Sequence, residues 1–307
     1  MMRMTVRAPV AFQGVGLHSG RTARMTIAPA ASGAGISFTR TDLPGRPTLP
    51  ARYDLVSDTQ LCTRLGRDGV EIGTVEHAMA ALSGTGVTDA AIFVDGPELP
   101  IMDGSAAPFV RALLEAGFAP LEGPVRAYKI LKSVEVRDGD RLARLEPADR
   151  FTLRFAISFE DAAIGTQTLA MAVAGDAFVT QLADCRTFGR LAEVEALRRM
   201  GLGRGGSLEN AIVVDRGRVL NPEGLRRNDE FVRHKMLDAV GDLALAGAPV
   251  IGLYTGVKSG HEMTNRLLRA LFADPEAFAL EDAQTWQLPA PGDRVRTFRP
   301  QPKAIAI

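Results

Sequence analysis

The segment Phe231-Val-Arg-His-Lys-Met-Leu-Asp-Ala-Val-Gly-Asp242 reads as a helix with its polar groups in register. His234 and Asp238 are four residues apart and Asp242 is four further on, so all three project from one face, each a turn above the last. An imidazole and a carboxylate at this spacing suit one divalent metal ion. The same spacing fits an ordinary packed helix with a paired histidine, so the reading turns on what the rest of the chain supplies.

That supply is small. The 307 residues include four histidines, His18, His77, His234 and His261, and two cysteines, Cys62 and Cys185, with no Cys-x-x-Cys pair. Histidines and carboxylates must therefore hold any metal, and two free thiols fit a cytoplasmic protein. Glu76-His77 sets a carboxylate beside an imidazole. Metal-assisted hydrolysis needs both, a ligand for the ion and a general base for the water. Together with His234 and Asp238, His77 makes three ligands and leaves a position open, the pattern of catalytic zinc; iron or cobalt would fit the same donors. His261 follows Lys258-Ser-Gly260 at an expected strand-to-helix junction, where Asp242 can orient it and favour its imidazolium form. Lys235, beside a metal ligand, suits an anionic substrate.

Charge is balanced, 36 basic against 36 acidic residues, which argues against a nucleic-acid surface. Residues 1–7 contain no apolar signal-peptide core, and no apolar run approaches the ~18 residues of a membrane span. Strands are expected at 4–12, 22–28, 35–40 and 59–65, the first two joined by the loop Gly14-Val-Gly-Leu-His-Ser-Gly20. A helix then starts at 73–74 with Thr74 as N-cap. A strand at 90–94 and a helix capped by Ser105 and ended by Gly117 complete the first half. Residues 121–125 read as a linker. The order then repeats: a hairpin over 129–136 and 141–145, strands at 151–159 and 166–173, a short helix at 191–200, the opening helix at 229–246, a strand at 249–257 and a helix at 261–272. Strands followed by helices, twice over, predict an α+β fold of two similar domains, each a mainly antiparallel sheet layered with helices. The expected domains are 1–122 and 127–290, followed by a loose tail at 291–307. No fixed-period repeat is visible in the residues.

Six segments carry a resemblance: Glu230 to Asp242, Thr74-Val-Glu-His77, Gly14-Val-Gly-Leu-His18, Pro100-Ile-Met-Asp-Gly-Ser-Ala-Ala-Pro-Phe109, Arg186-Thr-Phe-Gly189 and Lys258-Ser-Gly-His261. In that content, and in their order along residues 3–272, the chain resembles the UDP-3-O-acyl-N-acetylglucosamine deacetylases, zinc amidases of the committed step of lipid A synthesis. The resemblance implies His77, His234 and Asp238 as zinc ligands and Glu76 as general base. It implies His261 as the acid that protonates the leaving amine, held by Asp242, with Thr187 donating to the oxyanion and Lys235 beside the substrate. It further implies that Phe159 stacks on uracil and Phe188 packs against the sugar. An insert at about 190–214 would form a passage for the acyl chain, walled by Leu17, Leu191, Val194, Gly206, Ser207 and Val213. The implied substrate is a UDP-linked acylated amino sugar, and the expected protein is a cytoplasmic monomer with no nucleic-acid or integral-membrane partner. Asn210 stands where several members of the family have Cys, Leu208 where they have Phe, and Arg141 where some have Lys. These departures bear on acyl length more than on chemistry. A non-catalytic sugar-nucleotide binder would have no use for Glu76, His261 and Thr187 together; an amidase for a different acylated amino sugar would keep them all.

Overall fold

A strand with one apolar face needs a second layer to cover it, and the chain builds two such arrangements. The computed structural model describes residues 1–289. The tail expected at 291–307, and residue 290, lie outside the described residues. In the first five-stranded sheet the spatial order is Val10–Val15, Thr22–Pro29, Ala90–Asp95, Ile36–Arg40, Thr48–Pro50. All neighbours are antiparallel except Ala90–Asp95 beside Ile36–Arg40. In the second the order is Val134–Asp138, Arg141–Glu146, Leu253–Val257, Thr152–Ser158, Thr166–Ala172, with its parallel pair at the same place. Each half is thus one figure: two hairpins with a late strand inserted between them.

The described helices are α1 (Glu76–Gly84), α2 (Ala107–Ala116), α3 (Ala177–Gln181), α4 (Leu191–Arg199), α5 (Glu230–Ala244) and α6 (His261–Phe272). In the first half α1 precedes the late strand and α2 follows it; in the second, α5 and α6 take those places. The expected α+β architecture of two similar halves is the one observed. The repeat is one of topology, which tolerates any residues that keep the apolar periodicity.

The two halves meet through α1 and α5, which pack against each other within one continuous core that includes Phe38 and Ile92 of the first sheet and Leu153 and Phe155 of the second. A Cβ added at Gly241 of α5 would lie 2.0 Å from the Glu76 carbonyl oxygen and 3.1 Å from the Ala80 amide nitrogen. Only glycine admits this approach, and it is made on the helix face that carries His234, Asp238 and Asp242.

Local boundaries differ from expectation where tertiary pairing overrides local signals. The strand expected at 4–12 is two, Met2–Val6 and Val10–Val15, parted before Pro9, which has no N–H to give a ladder. Residues 59–63 form a turn with Leu61 at φ 71°, and pairing starts at Arg64–Arg67. The expected linker is the strand Phe118–Pro124, paired with Met2–Val6 at the other end of its half. Residues 129–136 divide between Arg126–Ile130 and Val134–Asp138, and 249–257 between Val250–Ile251 and Leu253–Val257, each pair lying in different sheets. Thr74 is not an N-cap. It sits at φ 59° and its hydroxyl donates to Glu98 Oε1. The Ser105 hydroxyl does accept from the Ala107 amide at the start of α2.

Gly241→Ala is expected to lower the unfolding free energy by about 1–3 kcal/mol, the usual cost of overpacking a close contact. The measurement is a urea titration in which the midpoint falls at unchanged slope.

Candidate active site

The site lies where helices from both halves begin. The first turn of α1 supplies Glu76 and His77, successive turns of α5 supply His234, Asp238 and Asp242, and α6 opens on His261. One donor atom each from His77, His234 and Asp238 falls within 4.8 Å of the others, and all three residues are buried. Asp238 Oδ1 is 3.3 Å from His234 Nε2 and 3.6 Å from His77 Nε2. The His234 Nδ1–H donates to the Cys185 carbonyl at 3.1 Å, which fixes the ring and leaves Nε2 as the free lone pair. Asp238 Oδ1 has no hydrogen-bond donor although it is buried. A buried anionic oxygen without a donor, beside two imidazole nitrogens, suits a cation. The three residues therefore fit a divalent metal ion.

The electrostatics divide the site into groups that resist charge and groups that hold it. Burial pushes His234 down to about 4, so it is a neutral ligand at physiological pH. Burial also pushes the Glu76 carboxyl up, which makes it a better proton acceptor once ionised. His261 goes the other way. Burial opposes its charge, but Asp242, whose Oδ2 accepts from Nδ1 at 2.8 Å, outweighs burial and, with Glu76 and Asp238, raises His261 to about 9. This happens at a helix N-terminus, where the macrodipole disfavours a cation, so the carboxylate partner is required. Burial likewise opposes the charge of Asp238, but His234 and Lys235 hold its carboxyl well below the usual range. The Lys235 ammonium donates to Asp238 Oδ2 at 2.8 Å, and its own pKa is raised because the attraction of Asp238 exceeds the cost of burial.

Glu76, His77, Thr187, Phe159, Phe188, His234, Lys235, Asp238 and His261 line one pocket of about 330 Å³, with Asp242 behind His261. Phe188 packs edge-on to Phe159, Phe231 and the His234 ring. The pocket shares Leu17, Thr187 and Phe188 with a mostly apolar cavity of about 640 Å³, whose walls include Leu191, Val194, Gly206, Ser207 and Val213. The structure thus brings the candidate metal, catalytic and substrate residues to two adjoining spaces, with Asp242 lining neither but bonded to His261. The fourth histidine, His18, stands apart from the metal donors on the wall of the apolar cavity.

Thr187 owes its place to glycine. Its amide donates to the Gly104 carbonyl at 2.8 Å, and Gly104 has φ 81° with a virtual Cβ 2.0 Å from the Asn210 carbonyl oxygen. The preceding residue, Arg186, is fully buried and paired with Glu230 at the start of α5, its amide and guanidinium both donating to that carboxylate. The pair clamps the Cys185–Thr187 stretch onto α5 and so keeps the Cys185 carbonyl on His234. Glu98, buried, accepts from the His18 and Ser19 amides and the Thr74 hydroxyl, holding the glycine loop beside α1. Thr63 gives its amide to Glu76 Oε2 at 3.0 Å and its hydroxyl to Asp242 Oδ1 at 2.6 Å. Sequence reasoning missed Thr63, Glu98, Glu230 and the Cys185 carbonyl, because none lies in a spacing pattern with the residues it holds.

Two layered halves hold between them a His-His-Asp set that fits a metal ion, a buried carboxylate and a carboxylate-paired imidazole, the architecture of an α+β enzyme. A family model, UDP-3-O-acyl N-acetylglycosamine deacetylase, matches residues 3–273, and the chain belongs to that family. Curated relatives bear the name UDP-3-O-acyl-N-acetylglucosamine deacetylase. One, from Phenylobacterium zucineum (strain HLK1), is 54% identical over 280 residues, covering 91% of this chain and 96% of the relative. A second, from Myxococcus xanthus (strain DK1622), is 48% identical over 288 residues, covering 94% and 92%. A third, from Anaeromyxobacter dehalogenans (strain 2CP-C), is 51% identical over 273 residues, covering 89% and 88%. The chain is accordingly a deacetylase. Among the described residues no helix is long and apolar enough to cross a membrane.

Replacing Asp242 by asparagine leaves burial as the leading influence on His261. In the metal-free chain its imidazole should titrate near 9 in the parent and far lower in Asp242→Asn, followed by NMR of the ring across pH. An unchanged midpoint would show that Asp242 is not what holds the charge.

Proposed function

We propose that the chain is a zinc-dependent amidohydrolase that removes the acetyl group of UDP-3-O-acyl-N-acetylglucosamine, giving UDP-3-O-acyl-glucosamine and acetate in the committed step of lipid A biosynthesis. The observation that carries this reading is the meeting, in one pocket, of the His-His-Asp donor set with Glu76 and the His261–Asp242 pair, in a chain of this family. His77, His234 and Asp238 would hold the ion; two neutral imidazoles and a carboxylate suit zinc, and iron fits the same donors. When bound, the ion supplies a water of lowered pKa and polarises the amide carbonyl.

The chain's own groups do the rest. Glu76, with Oε2 held by the Thr63 amide, takes the proton of the attacking water. Thr187 gives its hydroxyl to the developing oxyanion, and the positive charge of His261 stabilises it further. Asp242 occupies Nδ1 of His261, so the proton for the departing amine is carried on Nε2. The C–N bond then breaks to a neutral amine rather than to an amide anion. Lys235 keeps one hydrogen bond to Asp238 and turns its other donors to the substrate. Phe159 and Phe188 would take the uracil and the sugar. The cavity walled by Leu17, Leu191, Val194, Gly206, Ser207 and Val213 would take the acyl chain, where each buried methylene contributes about 0.8 kcal/mol. In the same reading the halves divide as 1–122 and 127–290, with 190–214 as the insert that builds the acyl passage. The protein then works as a monomer in the cytoplasm, a compartment supported by its two free buried cysteines.

Chelation should abolish turnover of the UDP-sugar and added zinc should restore it. Glu76→Gln should retain the metal while kcat falls about 10²–10⁴-fold, the usual contribution of a general base. Full activity in metal-stripped protein would end the proposal.

A further inference from the structure

Thr63 lies in none of the motifs and outside the walls of the two spaces described above, yet it touches both proton-handling carboxylates. It is 2% exposed and follows the turn that ends in Cys62. Its amide donates to Glu76 Oε2 at 3.0 Å, and its hydroxyl donates to Asp242 Oδ1 at 2.6 Å. The second oxygen of Asp242 accepts from His261 Nδ1 at 2.8 Å. The Thr63 carbonyl accepts from the Val75 amide at 3.3 Å, which ties Thr63 to the residue before α1. One residue of the first half therefore joins the base on α1 to the carboxylate on α5 that carries the acid on α6.

We propose that Thr63 is a positioning residue for the reaction, setting the base Glu76 and the acid pair His261–Asp242 at a fixed spacing across the two halves. Among the described residues Glu76 receives no other hydrogen bond, so the Thr63 amide decides which carboxylate oxygen is left for the water. The hydroxyl fixes the rotation of Asp242. With Oδ1 engaged by Thr63, Oδ2 is the oxygen presented to His261, and the imidazole Nε2 is aimed into the pocket. A carboxylate free to rotate would still neutralise His261 but would not hold Nε2 at the leaving nitrogen. Displacements of this kind lower kcat, because substrate binding does not depend on them. A threonine that merely filled the core would need only its methyl group and its shape. The inference rests on the proton roles proposed above for Glu76 and His261.

The test compares Thr63→Val, which keeps the shape and the amide and removes the hydroxyl, with Thr63→Ser, which keeps the hydroxyl. Thr63→Val should lose about 10–100-fold in kcat, the usual effect of disturbing groups that orient a site, with KM within about twofold and metal content unchanged. Thr63→Ser should recover most of the loss. Thr63→Val at parental kcat overturns the proposal, as does a Thr63→Ser loss equal to that of Thr63→Val, which would mark packing as the cause. If Thr63→Val does not fold, the kcat ratio of Thr63→Ser to Thr63→Ala reads the hydroxyl instead; about tenfold supports the proposal and unity overturns it. Glu76→Gln and His261→Gln are assayed alongside. Full turnover in those two defeats the underlying assignment of proton roles, whereas their inactivity beside an unaffected Thr63→Val defeats the Thr63 inference alone.

Discussion

The contact between Gly241 and the Glu76 carbonyl is the constraint on which the site depends. His234, Asp238, Gly241 and Asp242 lie at positions i, i+4, i+7 and i+8 of α5, on one face. Because the contact glycine shares that face with the metal donors, the closest approach of the helices is also what brings His77 and Glu76 alongside. A methyl group there would part α1 from α5 before it touched any functional side chain. The three donor atoms, now within 4.8 Å of one another, would move apart with the helices. The same packing removes water from the site, and that accounts for the neutral His234 and for the proton affinity of Glu76.

Burying so many ionisable groups together is costly unless each charge has a partner. Asp238 has Lys235, Asp242 has His261 and Thr63, and the buried Arg186 has Glu230. The Arg186–Glu230 pair lies outside the walls of both spaces of the site, yet it fixes the stretch whose Cys185 carbonyl orients His234 and whose next residue is Thr187. The outer hydrogen bonds thus carry geometry inward. Main-chain groups are prominent among them because a carbonyl or amide in a folded segment has little freedom to wander.

What could be read in the sequence was whatever local spacing encodes. The four-residue step from His234 to Asp238 specifies a helix face whatever the fold, and the adjacency of Glu76 and His77 specifies a first turn. The scarcity of histidine made their convergence plausible, and the alternation in 151–159 gave a strand with one apolar face. Contacts between distant segments were not legible. Thr63 and Asp242 are 179 residues apart, and a threonine in a polar turn carries no periodicity. Gly123 and Pro124 mark a linker by local chemistry, but Met2–Val6 is available to pair with that segment, and the ladder prevails. The strand order within each half was invisible for a related reason: it is set by which edges remain open, and no residue records it.

Glu76 and His261 both have raised pKa values, and in the proposed function one buried environment thereby serves both a base and an acid. Burial favours the neutral form of either group. For a carboxyl group, that means holding its proton more tightly, which suits a base that must take one from water. For an imidazole, it means losing the proton, which would leave nothing to give the departing amine. A carboxylate partner reverses the second effect without disturbing the first, provided it sits on the far side of the imidazole from the pocket. Asp242 does so, bonded to Nδ1 and leaving Nε2 toward the substrate. His234, more deeply buried, bonds through Nδ1 to a neutral carbonyl and stays uncharged, as its proposed role as a metal ligand requires. Two histidines on neighbouring helices therefore differ in charge according to the atom that accepts their Nδ1 proton, and the proposed function uses the one paired with a carboxylate as its acid and the one paired with a peptide oxygen as a ligand.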